Sequence, residues 1–234
     1  MSRRLLVLLF PKFSVMKKVF ILLAGLAVFG FSSIYAQYPA YGAKLGLSFP
    51  GFLNEKIASE RITPAFSLIG NFHITRSFVM QVELGYELKG NKFTYEVWDD
   101  AGISIEDSMY IEKTNMGYVT VPLFFKYNLG RANKFYFQAG GFYGYLLYAG
   151  FSGKMNNELV SKVNIKDGLS PHDYGLVIGG GLETPFRSGL SMLLDVKYHY
   201  GLCDLNIDPD ILGHSDPVKT KSFVMSMGVL IDID

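Results

Sequence analysis

The chain has 234 residues, 49% of them hydrophobic and 15% aromatic, with a formal net charge of +1. Five of the 22 basic residues and none of the 21 acidic ones fall within residues 1–36, so the remainder carries four more acids than bases. That balance counts against a nucleic-acid partner, whose usual signature is a basic chain, and a single cysteine, Cys203, excludes an intrachain disulfide.

The N-terminus has the pattern of an export signal. Lys17 and Lys18 precede an apolar run from Val19 to Phe31, long enough for a signal-peptide core and short for a spanning helix. Small residues in Ser32-Ser33-Ile34-Tyr35-Ala36 place cleavage after Ala36. Residues 1–36 are therefore expected to be a signal peptide and 37–234 one outer-membrane β-barrel domain. Arg3, Arg4 and the apolar Leu5 to Phe10 either lengthen this signal or lie upstream of a true start at Met16.

Beyond residue 36 the chain reads as eight strands in succession, each apolar at alternate positions. The first, Ala40 to Phe49, sets Tyr41, Ala43, Leu45 and Leu47 against Lys44 and Ser48. The second, Pro64 to Ile74, sets Phe66, Leu68 and Phe72 against Ser67, Asn71 and His73. The third, Phe78 to Lys89, is the clearest: Phe78, Met80, Val82, Leu84, Tyr86 and Leu88 alternate with Gln81, Glu83, Gly85, Glu87 and Lys89. A continuation of this strand to Val97 is expected, and a polar segment with Asp99, Asp100, Glu106 and Asp107 follows. The fourth spans Tyr118 to Tyr127 and the fifth Lys134 to Tyr148, joined by a turn at Asn128–Asn133. A polar loop with Lys154, Asn156, Asn157 and Lys162 leads to the sixth, Asp173 to Glu183. A turn over Thr184–Gly189 precedes the seventh, Leu190 to Gly201. The eighth is Lys221 to Ile233.

Connections after the second, fourth and sixth strands are short, and those after the odd-numbered strands are long and polar. An up-and-down transmembrane barrel gives this alternation when its N-terminus and short turns are periplasmic. Such a barrel faces lipid with its apolar side and closes a lumen with its polar side; a soluble barrel reverses this. The apolar sides here are aromatic-flanked and almost free of charge, which favours the membrane form. Eight strands leave an interior just filled by side chains. Glu83, Lys126, Asp195 and Lys197 then share the lumen by parity, and buried charges must pair. They are expected to form a network that plugs it, while Glu87 and Lys89 reach a solvated rim. Pro122 lacks an N–H and a closed barrel has no edge, so a strand bulge with Pro122 toward the lumen is expected there.

Four segments carry a family resemblance. Tyr118-Val119-Thr120-Val121-Pro122-Leu123-Phe124-Phe125-Lys126-Tyr127 resembles the Pro-Leu-x-x-Lys-Tyr signature of PorT-family outer-membrane β-barrel proteins of Gram-negative bacteria. Tyr41–Phe49 resembles that family's opening Gly-x-Lys-x-Gly strand, Asp173–Gly181 its Asp-aromatic-Gly-Leu strand, and Tyr198–Leu202 its Tyr-x-x-Gly-Leu ending. The resemblance implies an outer-membrane barrel with a structural or protein-interaction role, linked through the family's named member to type IX protein secretion. Expected partners are outer-membrane lipid and other envelope proteins, for a monomeric barrel.

An enzyme is the alternative. His172, Asp173 and His199, with Ser170 and Ser222, could supply a base and a nucleophile at the rim for lipid A or peptides. Their spacing matches no hydrolase motif. The four histidines and Cys203 offer no short metal-ligand pair. Gly179-Gly180-Gly181 is followed by no helix and no basic residue, so it is no phosphate loop, and glycines there serve close packing. No catalytic residue, cofactor or metal is expected.

Overall fold

The computed structural model describes residues 39–53, 61–98, 104–156, 158–205 and 217–233. The expected signal peptide and Met16 lie outside them. Among the described residues, ten strands follow in chain order: β1 (Ala40–Phe52), β2 (Thr63–His73), β3 (Phe78–Lys89), β4 (Lys92–Trp98), β5 (Ser104–Leu129), β6 (Lys134–Met155), β7 (Glu158–Asn164), β8 (His172–Arg187), β9 (Leu190–Gly201) and β10 (Thr220–Asp232). Eight of them close a ring in the order β5-β3-β2-β1-β10-β9-β8-β6, sealed by the β5–β6 pair. Every pairing is antiparallel, and β1 meets β10 from Ala40 opposite Asp232 to Phe52 opposite Thr220.

Period-two alternation decides which face goes where. Leu45, Phe137, Ile178 and Met227 point outward and are each more than 60% exposed, whereas Lys44, Glu83, Lys126 and Asp195 point inward and are at most 4% exposed. Apolar outside and charged inside is the reverse of a water-soluble barrel, and so large a contiguous apolar surface needs hydrocarbon to cover it. No described helix is long and apolar enough to cross a membrane; the strands do so. In β3, Phe78 and Leu84 are half exposed while Gln81 and Glu83 are buried, as the alternation predicts.

Two stretches read as loops are strands. β5 has 26 residues and β6 has 22, so both outrun the ring. β4 pairs with the early part of β5 and β7 with the end of β6, which makes a four-stranded sheet, β4-β5-β6-β7, beyond the barrel. Glu106 and Asp107 thus lie within β5, Lys154 in β6 and Lys162 in β7, with Asn156 at the turn in the left-handed region (φ 47°) that asparagine tolerates. Asp99, Asp100 and Asn157 fall outside the described residues. Alternation fades here because both faces of a strand outside hydrocarbon meet water. β4 continues β3 against β5 in one register, Lys89 opposite Met116 and Lys92 opposite Lys113, so the expected continuation toward Val97 holds with a single kink at Gly90 (φ 122°).

The short connections are residues 74–77, 130–133 and 188–189. Thr184 to Arg187 extend β8 instead of turning, and Gly189 (φ 71°) completes a two-residue turn. Pro122 faces inward as expected, but no bulge marks it. Val82 opposite Leu123 and Gly85 opposite Thr120 hold one register, and the pairs between them are skipped. The missing N–H therefore interrupts the β3 ladder locally without displacing it. The register shift of β5 against β6 lies at Gly117/Tyr118, where Leu147 is the extra residue. A ring hydrogen-bonded all round should resist detergent: unboiled protein is expected to migrate apart from boiled protein in SDS gels, and a single heat-independent band would contradict closure.

Candidate functional site

The lumen is where the fold concentrates chemistry, and its charges lie in layers. In the middle layer, Lys44 of β1 donates to Glu83 Oε1 at 2.6 Å and to Asp195 Oδ2 at 2.6 Å, and Lys197 of β9 donates to Glu83 Oε2 at 2.8 Å. Gln81 adds a 2.6 Å hydrogen bond to Glu83, and the Ser226 hydroxyl donates to Asp195. Two ammonium groups thus face two carboxylates, so the layer is neutral. Each of these side chains is there because its parity on its strand is inward.

Lys126 belongs to a separate layer toward the short turns. It donates to Glu183 at 2.9 Å, Lys134 takes the other oxygen at 2.9 Å, and its ammonium sits 3.8 Å from the centroid of the Tyr136 ring. The structure therefore joins Glu83, Asp195 and Lys197 through Lys44, and places Lys126 with Glu183 instead. Tyr136 has space because the neighbouring wall carries Gly181, where a Cβ would stand 2.5 Å from its hydroxyl and 2.1 Å from the Leu194 carbonyl. The glycine run thus makes room for a lumenal tyrosine.

Toward the long loops, Glu87 and Lys89 are buried, not solvated. Lys89 donates to Asp173 at 2.7 Å, which also accepts from Thr220 at 2.8 Å, and its ammonium lies 4.5 Å from the Phe142 ring. Glu87 accepts from Ser48 at 2.8 Å and lies 3.6 Å from His199 Nδ1. The reason is an apolar cap above them: Phe52, Met116, Tyr118, Leu146, Ala149, Leu169, Leu205 and Val218 pack into one cluster over the lumen. Several of these belong to connections, where no periodicity announces burial. Lys44 and Glu183 are on the polar face by alternation, yet only the three-dimensional register identifies their partners.

A cavity of about 30 Å³ between Lys44, Glu83, Pro122, Lys197 and His199 has room for a water molecule or two but for no solute. The rim arrangement of histidine, acid and serine is not assembled. His199 is inside the wall, stacked on Phe142 at 5.1 Å. His172 is outside it, with Nδ1 2.6 Å from the Tyr143 hydroxyl. Asp173 is held by Lys89 and Thr220, and the Ser170 hydroxyl donates to the His172 carbonyl. Cys203 lies 3.2 Å from that same carbonyl, and burial pushes its thiol up, away from reactivity. Among the described residues no group of His, Cys, Asp and Glu could hold a metal.

A family model described as an outer membrane protein beta-barrel domain matches residues 35–206. The chain belongs to this family. Its barrel is accordingly an outer-membrane one, and the family description covers the barrel domain in general, not the PorT group. Among solved structures, Neisserial surface protein A (NspA) is similar at TM-score 0.46 and 11% identity, over 83% of this chain and 97% of that one. The outer membrane protein OprG of Pseudomonas aeruginosa is similar at TM-score 0.43 and 10% identity, over 85% and 98%. A major outer membrane protein of Thermus thermophilus is similar at TM-score 0.49 and 13% identity, over 83% and 99%. No curated protein matches the chain.

Glu83→Ala takes the carboxylate from Lys197 and leaves Lys44 with Asp195 alone, and should cost about 3–5 kcal/mol in urea unfolding from lipid vesicles. Adding Lys197→Met leaves the Lys44–Asp195 pair intact, so the double variant should be less destabilised than the sum of its singles. Strict additivity would deny the network. Gly181→Ala should cost about 1–3 kcal/mol in the same assay, because Tyr136 and the Leu194 carbonyl must both move.

Proposed function

We propose that the protein is a sealed, non-enzymatic outer-membrane barrel with a structural or protein-interaction role, oriented with its N-terminus and short turns in the periplasm. One observation carries this reading: the lumen is occupied from end to end by paired charges and aromatic rings and is covered by an apolar cluster. A barrel meant to pass solutes needs an open water column, and one meant to act on lipid needs its polar groups on an accessible rim. The elaborate part of this fold is instead the sheet β4-β5-β6-β7 at the long-loop end, which is where a partner could be met. The orientation is supported by the short turns sharing an end with the N-terminus of β1, the usual arrangement for exported barrels. The tie to protein secretion rests on the PorT-like sequence segments alone, and the partners that reading implies are other envelope proteins.

In planar lipid bilayers the purified protein should give no stepwise conductance; regular channel openings would overturn the sealed reading. An epitope inserted at the Asn156 turn should be detected by antibody on intact cells, and detection only after permeabilisation would reverse the orientation.

A further inference from the structure

The outward face of the sheet beyond the barrel has an unusual charge pattern. Lys92 stands directly opposite Lys113, Lys113 opposite Ser152, and Ser152 opposite Lys162. Residues opposite one another share a face, so one row across β4, β5, β6 and β7 carries three lysines. Lys154 lies two residues along β6 from Ser152 on the same face. Arg61 joins from before β2, donating to the Thr114 carbonyl at 2.8 Å and to Asn115. This is the outer side, because Met116 and Ala149, on the other face of the same pair of strands, are buried in the cap. Burial and the neighbouring Lys92, Lys154 and Arg61 push the Lys113 ammonium down from its usual range.

Like charges directly opposite destabilise a sheet. Within the barrel this chain answers each lysine with a carboxylate, yet among the described residues none of these five cations forms an ion pair. Glu96, the described acid of this face, pairs with Met109, one row farther from the barrel than Thr94, Ile111 and Lys154. Among the described residues, then, the row has no carboxylate to neutralise it and presents its charge outward.

Height above the membrane points to its source. The outward apolar belt ends at this side in tyrosines, with the Tyr86 and Tyr148 hydroxyls 3.5 Å apart and Tyr148 opposite Gly117. Tyrosines in such a ring mark the boundary of the hydrocarbon. Lys113 is four residues farther along β5, about 13 Å along the strand and roughly 10 Å in height once the strand tilt is included. A headgroup layer is roughly 5–8 Å deep, so the Lys113 backbone stands just above it, and a lysine side chain is long enough to reach back to the phosphates. The cationic row is continuous with the lipid-facing wall below it.

We propose that this face binds the phosphate groups of lipid A in the outer leaflet, with Lys92, Lys113, Lys154, Lys162 and Arg61 as its ligands. The proposal rests on the orientation given above, since the opposite one would place the row at the inner leaflet.

The test uses the refolded barrel and the variant K92Q/K113Q/K154Q/K162Q, which leaves Arg61 pinning the strand. Binding is measured to diphosphorylated lipid A, to enzymatically dephosphorylated lipid A and to phosphatidylglycerol, each in neutral detergent micelles. The wild type should bind diphosphorylated lipid A on the order of a hundredfold more tightly than the variant, since each surface lysine contributes a few-fold toward anionic lipid. Dephosphorylated lipid A should bind both proteins alike and weakly. Equal binding of diphosphorylated lipid A by both proteins would overturn the site, and so would strong binding of the dephosphorylated form. Phosphatidylglycerol binding as tight as lipid A would overturn the assignment to lipid A. Heat-modified migration checks that the variant is folded. The Asn156 epitope reports the orientation independently, so a reversed barrel and an absent lipid site give different results.

Discussion

The constraint on which the structure depends is that no backbone N–H or C=O can be left unpaired in hydrocarbon. A sheet satisfies this only by closing, and here closure joins β1 to β10 and β5 to β6. Eight strands close a narrow ring, and a narrow ring brings inward side chains from opposite walls into contact. Once the outer face is surrendered to lipid, every polar side chain of alternate parity is forced into that small volume. The ion-paired lumen is thus a consequence of closure. Lys44 of β1 reaches both Glu83 and Asp195 because β3 and β9 each lie two strands from β1, beyond β2 and β10.

Pairing then sets the arrangement along the barrel axis. A buried charge without a partner is far more costly than a pair replaced by apolar groups, so the charges sort into small, locally satisfied groups. Lys126 has Glu183, Lys44 and Lys197 share Glu83 and Asp195, and Lys89 has Asp173. Aromatic rings divide these groups: Tyr136 under Lys126, and Phe142 beside Lys89 and stacked on His199. Glycines such as Gly181 set the wall back where a ring must enter. The apolar cluster of Phe52, Tyr118, Leu146 and Leu205 closes the long-loop end, and this dryness strengthens the pairs beneath it.

What was legible in the sequence follows from where solvent changes. Across the hydrocarbon, a strand has one face in lipid and one in the lumen, so Phe78 to Lys89 states its own orientation and its strand bounds. The inward parity of Glu83, Lys126, Asp195 and Lys197 was equally plain. Which charges touch was not, because partners come from strands far apart in the chain: Lys44 and Asp195 are 151 residues apart. Glu87 and Lys89 were placed in solvent because the cap that buries them is built partly from connections, whose residues carry no period. β7 and the outer parts of β5 and β6 were hidden for the opposite reason, whereas β4 was legible as a continuation of β3: outside the membrane both faces of a strand are wet, and Lys154, Asn156 and Lys162 look like loop composition. Pro122 suggested a bulge by a sound rule about missing donors, yet the ladder tolerates a local gap at less distortion than a register shift.

The lysines show why net charge is a poor guide to partners in a barrel. Residues 37–234 are net acidic, and on that ground no anionic partner would be sought. The lumen, however, contains Glu83, Glu87, Asp173, Glu183 and Asp195, all buried and engaged within the barrel. These carboxylates neutralise interior lysines and present nothing to the outside. Setting that lumen aside removes five acids and four lysines, so the rest of the chain is still net acidic; what marks the sheet β4-β5-β6-β7 is that its lysines are gathered on the face continuous with the lipid belt. Two populations of one residue type therefore obey the same electrostatics. Lys44, Lys89, Lys126 and Lys197 are in a medium that offers no counter-ion, so the chain supplies one. Lys92, Lys113, Lys154 and Lys162 stand beyond the hydrocarbon with no carboxylate paired to them among the described residues, and under the proposed orientation lipid phosphate is the counter-charge nearest to hand.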